Sequence, residues 1–94
     1  MHPIRTREYI RREREWMQEE LKKIGVRYFK PCANYIFIKS GYDLYEELLK
    51  CGILIRDCSN YDGLSKGYYR FAIRMHEDNQ RLLEELSHIY QRKQ

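Results

Sequence analysis

Apolar and polar positions along the chain fall into three stretches of helical period and four short stretches that alternate or cluster as strands do. From Arg5 to Ile24 there is no glycine or proline and many strong helix formers. Ile10, Met17, Leu21 and Ile24 share one stripe, and Gly25 predicts the stop. Glu13 and Arg14 interrupt that stripe. The first two turns, near Arg5–Arg14, are therefore expected to be too polar to bury against this chain, and to fray or lean on a neighbour. Val26–Phe29 and Asn34–Lys39 predict two strands separated by a turn at Pro31. In the second, Tyr35 and Phe37 occupy one face and Ile36 and Ile38 the other, which predicts a central strand with apolar residues on both sides.

Asp43 with Glu46 three positions on predicts a capped helix start ahead of Leu44, Leu48 and Leu49, and Gly52 its end. Ile53–Arg56 predicts a third strand, and the stretch from Asp57 to Gly67 a loop. Tyr68–Arg74 alternates, with Tyr69, Phe71 and Ile73 on one face and Tyr68, Arg70, Ala72 and Arg74 on the other. A last helix from about His76 to Gln91 carries Leu82, Leu83, Leu86, Ile89 and Tyr90 on one face. Met75 stands where a Ser or Thr cap would sit, which predicts a weak start. The order αββαββα predicts an α+β fold over residues 1–94, a small sheet with helices packed on one side.

Ninety-four residues, 43% hydrophobic and 34% charged, suit one small globular core without a deep enclosed pocket. The net charge of +4 is spread among acidic neighbours, so it permits nucleic-acid binding without implying it. The mixed surface of the first helix predicts i,i+4 pairs such as Glu8–Arg12 and Glu19–Lys23. Nine tyrosines suit half-buried surfaces and interfaces. Cys32, Cys51 and Cys58 form no C-x-x-C pair and are expected to be free thiols. His2, His76 and His88 share no metal-ligand spacing and are expected at the surface. The longest apolar run, Tyr35–Ile38, is too short for a membrane span, and Glu8, Glu13 and Glu15 break up the Arg-rich start that a transit peptide would need. A cytoplasmic location is the expectation.

The most informative stretch is Ile53-Leu-Ile-Arg-Asp-Cys-Ser-Asn-Tyr-Asp-Gly-Leu-Ser-Lys-Gly-Tyr-Tyr-Arg-Phe-Ala-Ile-Arg74, followed by Glu77-Asp-Asn79 and a leucine-bearing helix. With Ala33-Asn-Tyr-Ile-Phe37 and the step from Leu44 through Gly52 to Ile53, it resembles the C-terminal small domain of the histidinol-phosphate aminotransferase family of fold-type I pyridoxal-phosphate enzymes. The wording is most similar to the threonine-phosphate decarboxylase branch of cobalamin synthesis. The resemblance runs from about Tyr9 to Tyr90. It implies that Arg70 grips a substrate carboxylate and that Arg56 helps bind a substrate phosphate. It also implies a decarboxylase (lyase) or, alternatively, an aminotransferase acting on a small phosphorylated amino acid, working as a homodimer with pyridoxal phosphate as cofactor.

Pattern and resemblance agree on Arg70: it lies on the strand face opposite the apolar one, where an arginine fork can make two parallel hydrogen bonds to a carboxylate. Asn60, Tyr61 and Gly63 are expected to shape the loop between the two arginines. Nothing in the chain matches the Schiff-base lysine segment, the acidic partner of the pyridinium nitrogen or the cofactor-phosphate cup, which the resemblance places in a large domain. The 94 residues alone are therefore expected to be inactive, to hold no cofactor and to contribute no catalytic residue; a truncated product is the non-enzyme reading.

A competing resemblance is to RNA-binding RRM domains, through Ser65–Ala72 as RNP1 and Ile36–Gly41 as RNP2. Tyr69 and Arg70 depart from the RNP1 pattern. The chain also ends on the helix after which an RRM needs a fourth strand, so a sheet flank would be left uncovered. No nucleic-acid and no membrane partner is expected.

Overall fold

The computed structural model describes residues 7–29, 34–58 and 67–93. The turn at Pro31, Cys32, His2, and the loop residues Asn60, Tyr61 and Gly63 lie outside them. Helix α1 spans Arg7–Ile24 and buries Ile10, Met17 and Leu21. It ends where Gly25 adopts a φ of 99°, allowing the N–H groups of Gly25 and Val26 both to reach the Leu21 carbonyl. Strand β1 (Arg27–Tyr28) pairs antiparallel with β2 (Tyr35–Lys39). Helix α2 (Leu44–Lys50) starts at Asp43, whose Oδ1 accepts the Glu46 N–H. Strands β3 (Arg56–Asp57) and β4 (Tyr68–Ala72) follow, and helix α3 covers His76–Lys93.

The sheet order is β1-β2-β4-β3, with every pair antiparallel. The predicted αββαββα order and α+β class are therefore observed. β1 occupies the flank beside β2, so the uncovered flank expected of an RRM-like sheet does not arise; a strand that precedes β2 in the chain fills it. The RNP1 departure at Tyr69 remains, and that side chain is buried on the helix side.

Three expectations are corrected. The Ile53–Arg56 strand shrinks to Arg56–Asp57, because the Ile53 N–H is taken by the Leu48 carbonyl at the end of α2 and Leu54 points out, 68% exposed. β4 stops at Ala72, since the Arg74 N–H turns to the Asn79 side chain instead of the ladder. And β2, though an inner strand, is buried on one face only within this chain. Ile36 and Ile38 are fully buried with Tyr69, Phe71 and the leucines of α3, whereas Tyr35 is 40% exposed.

The other sheet face is open. It carries Tyr35, Phe37 and Lys39 from β2 opposite Ala72, Arg70 and Tyr68 from β4. Phe29, Phe37 and Tyr68 form a ring cluster with centroids 6.0–6.3 Å apart. Cations lie over the rings of this face: Arg27 over Phe29, Lys39 over Tyr68 and Arg70 over Tyr35.

Candidate functional site

Arg56 and Arg70 are directly opposite each other in the β3–β4 pairing. In an antiparallel pair, opposite residues share a face with their Cβ atoms about 5 Å apart, so both arginines project from the open face. Arg70 is half-buried and Arg56 exposed. The Arg70 Cζ lies 4.3 Å from the centroid of the Tyr35 ring. A guanidinium held over a ring keeps its in-plane N–H fork available for an oxyanion. Among the described residues neither arginine forms an ion pair. Two like charges set opposite one another on a sheet repel, and an anion between them reverses the sign of that interaction.

The pair borders an open groove of about 900 Å³ whose lining includes Tyr35, Leu54, Arg56, Arg70, Arg74 and Asp78. Cys58 follows β3 directly. That side chain is fully buried, its N–H donates to the Tyr68 carbonyl, and its thiol lies near the Arg56 carbonyl. Burial pushes the Cys58 thiol above its ordinary range, and the positive charge of Arg70 opposes this. Cys51 and Cys58 are both free.

A second cluster went unread in the sequence. Glu13 is buried and accepts from His76 Nδ1 at 2.9 Å and from Asn79 Nδ2 at 2.8 Å. Asn79 also clasps the Arg74 backbone, accepting its N–H at 2.9 Å and donating to its carbonyl at 3.0 Å. The Tyr9 hydroxyl donates to the same carbonyl at 2.8 Å. These contacts correct two expectations. The early turns of α1 are pinned rather than free, with Ile10 buried beside Glu13. The α3 start lacks a Ser or Thr cap but is tied down by Asn79 reaching back. His76 is half-exposed yet engaged, its ring 4.6 Å from that of Trp16, while His88 is exposed as expected. The signal was present: Glu13 and Asn79 each sit on the buried stripe of their helix, where a polar residue needs a partner.

The predicted surface pairs also shift by one position: Glu8 binds Arg11 at 2.9 Å and Lys23 binds Glu20 at 3.3 Å. Among the described residues there is no group of three metal-ligating side chains, and no helix is long and apolar enough to cross a membrane.

No protein-family model matches the chain. It is 35% identical over 102 residues to a histidinol-phosphate aminotransferase of Methanothermobacter thermautotrophicus, covering 94% of this chain and 27% of that protein. It is 36% identical over 89 residues to the threonine-phosphate decarboxylase of Salmonella typhimurium, covering 79% of this chain and 22% of that protein. Among solved structures, the histidinol-phosphate aminotransferase from Clostridium acetobutylicum superposes with a TM-score of 0.81 at 39% identity, over 88% of this chain and 27% of that one. The chain thus spans about a quarter of the length of the relatives it matches.

Proposed function

We propose that this chain, homologous to about a quarter of the length of histidinol-phosphate aminotransferases and threonine-phosphate decarboxylases, serves as the C-terminal small domain of a pyridoxal-phosphate enzyme acting on a small phosphorylated amino acid. Threonine-phosphate decarboxylase is the favoured member. Arg70 takes the substrate carboxylate and Arg56 the phosphate. The observation that carries this reading is the direct opposition of Arg56 and Arg70 in the β3–β4 register on the open sheet face. A phosphoamino acid presents a carboxylate and a phosphate a few atoms apart, and two arginines on neighbouring strands can each take one of them.

A histidinol-phosphate-type aminotransferase is the second reading, supported by the 39% identity and close superposition on such an enzyme. Two arginines orient the ligand; they do not by themselves decide which Cα bond breaks. Among the described residues the groove is lined by no lysine, and its carboxylates are Asp57 and Asp78. It therefore does not fit the role of holding pyridoxal phosphate, which this reading assigns to a large domain in the same polypeptide.

The test is made in the polypeptide that joins this segment to its cofactor-binding region. Arg70→Ala is expected to lower kcat/KM about 30-fold to 1000-fold on amino acid substrates with or without a phosphate. Arg56→Ala should do so only on the phosphorylated ones. Near-silence of Arg70→Ala on both would overturn the assignment.

A further inference from the structure

We infer that Arg74 is a third anion-recognition residue of this groove, and that with Arg56 and Arg70 it selects ligands carrying a dianionic phosphate-type group over ligands carrying a carboxylate alone. The inference rests on the reading of the groove as an anion site and adds to it a residue and a selectivity.

Placement comes first. Arg70 and Ala72 flank the buried Phe71 on the open side of β4, and Arg74 follows two residues beyond the end of that strand. Ala72 between them is small. Its cross-strand partner is Tyr35, and the Arg70 guanidinium lies over the Tyr35 ring. The Arg70 head group is thus displaced along β4 towards Arg74, above a floor made of a methyl group and an aromatic ring. Arg74 lines the same groove.

Rigidity comes second. The Arg74 peptide groups are held by Asn79 on both N–H and carbonyl and by Tyr9 on the carbonyl. Asn79 is 2% exposed and is itself fixed by Glu13. So much fixed polar structure anchors the Cα of a residue whose own side chain is exposed and makes no ion pair among the described residues.

Charge comes third. The groove lining holds Arg56, Arg70, Arg74 and Arg81 against Asp57 and Asp78. Arg81 is occupied, donating to the Cys51 carbonyl. A phosphate monoester carries about −1.5 to −2 at neutral pH, and a carboxylate adds one more negative charge. Arg56 and Arg70 together fall short of that total, and Arg74 makes up the difference.

The experiment uses the 94-residue chain, following arginine Nε–Hε resonances during titration with inorganic phosphate and, separately, with acetate at constant ionic strength. Phosphate should shift Arg56, Arg70 and Arg74 together. Arg74→Gln, which leaves the backbone clasp intact, should raise the phosphate dissociation constant about tenfold and leave acetate binding unchanged. Arg12→Gln on the far part of α1 should change neither. If phosphate moves Arg56 and Arg70 while Arg74 stays still, or if Arg74→Gln behaves like Arg12→Gln, the inference fails and the reading of the groove stands. Silence of Arg56 and Arg70 overturns the reading itself.

Discussion

Arg56 stands directly across the β3–β4 pairing from Arg70, a like-charged pair on neighbouring strands with no acidic partner for either among the described residues. An antiparallel sheet ordinarily places opposite charges or apolar side chains at such positions. Here the rest of the fold sustains the repulsion: Phe71 and Tyr69 anchor β4 through its inner face, and the Cys58 N–H continues the pairing to the Tyr68 carbonyl. A site that repels itself when empty is relieved by binding an anion.

Tyr35 beneath the Arg70 guanidinium leads to a graded prediction in the joined polypeptide. Arg70→Lys should recover little of the activity lost in Arg70→Ala, since an ammonium lacks the planar fork. Tyr35→Leu should cost much less, about 2-fold to 5-fold in kcat/KM, the scale of one exposed cation–π contact. Steady-state kinetics of the three variants give the order, and equal losses for Tyr35→Leu and Arg70→Ala would argue against it.

The buried Glu13 should behave as a keystone between α1 and α3. Glu13→Ala leaves one of the two Asn79 Nδ2 hydrogens without its acceptor and removes the partner of His76, for an expected loss of about 1–3 kcal/mol. Glu13→Gln, which keeps shape and one acceptor, should lose less. Urea unfolding checks both. Hydrogen exchange offers a second check: amides following Ile10 in α1 should be protected rather than frayed.

Alkaline pH should destabilise the fold. Burial pushes the Tyr9, Tyr69 and Tyr90 phenols above their ordinary value of 10.0. A raised folded value means the folded state binds more protons than the unfolded one above pH 10. Their contribution is therefore fully present below that pH and is lost as pH rises through the folded values. Unfolding midpoints should fall in that window. Tyr90→Phe should lower stability at neutral pH by about 1 kcal/mol, through loss of the 2.7 Å bond to Ser40, and should make the alkaline loss smaller.

Gly67 should tolerate no side chain. Its φ is 101°, and a Cβ there would lie 2.8 Å from the Ser40 carbonyl oxygen, a backbone atom that cannot step aside. The same two residues are joined by the Ser40 N–H bond to the Gly67 carbonyl. Gly67→Ala should cost on the order of 2 kcal/mol or more. Gly41→Ala, with open space around it, should be close to neutral. Comparing the two by thermal melting isolates the junction.

The helices are legible in the sequence because Ile10, Met17 and Leu21, then Leu44 and Leu48, then Leu82, Leu86 and Ile89 recur with helical period, and Gly25 and Gly52 stop two of the helices by left-handed turns. The sequence also paired Arg56 with Arg70, through the wording of one motif; their direct opposition needed the register. Strand lengths were misread where hydrogen bonds were diverted, at Ile53 to Leu48 and at Arg74 to Asn79, since alternation of side chains does not reveal where an N–H is spent. The open face was misread because Tyr35 and Phe37 look like core residues whether or not anything covers them. Glu13 reads in sequence as a defect in an apolar stripe because its partner, Asn79, lies 66 residues away.

The chain contains one tryptophan, Trp16, and the structure sets its indole against the His76 imidazole beside the Glu13 contact. The molecule therefore carries its own optical gauge. Any event that lifts α1 from the start of α3 removes an aromatic neighbour from the sole indole and changes its emission, with no second tryptophan to dilute the signal. Stopped-flow fluorescence would then report the docking of these two helices specifically, rather than collapse of the chain as a whole.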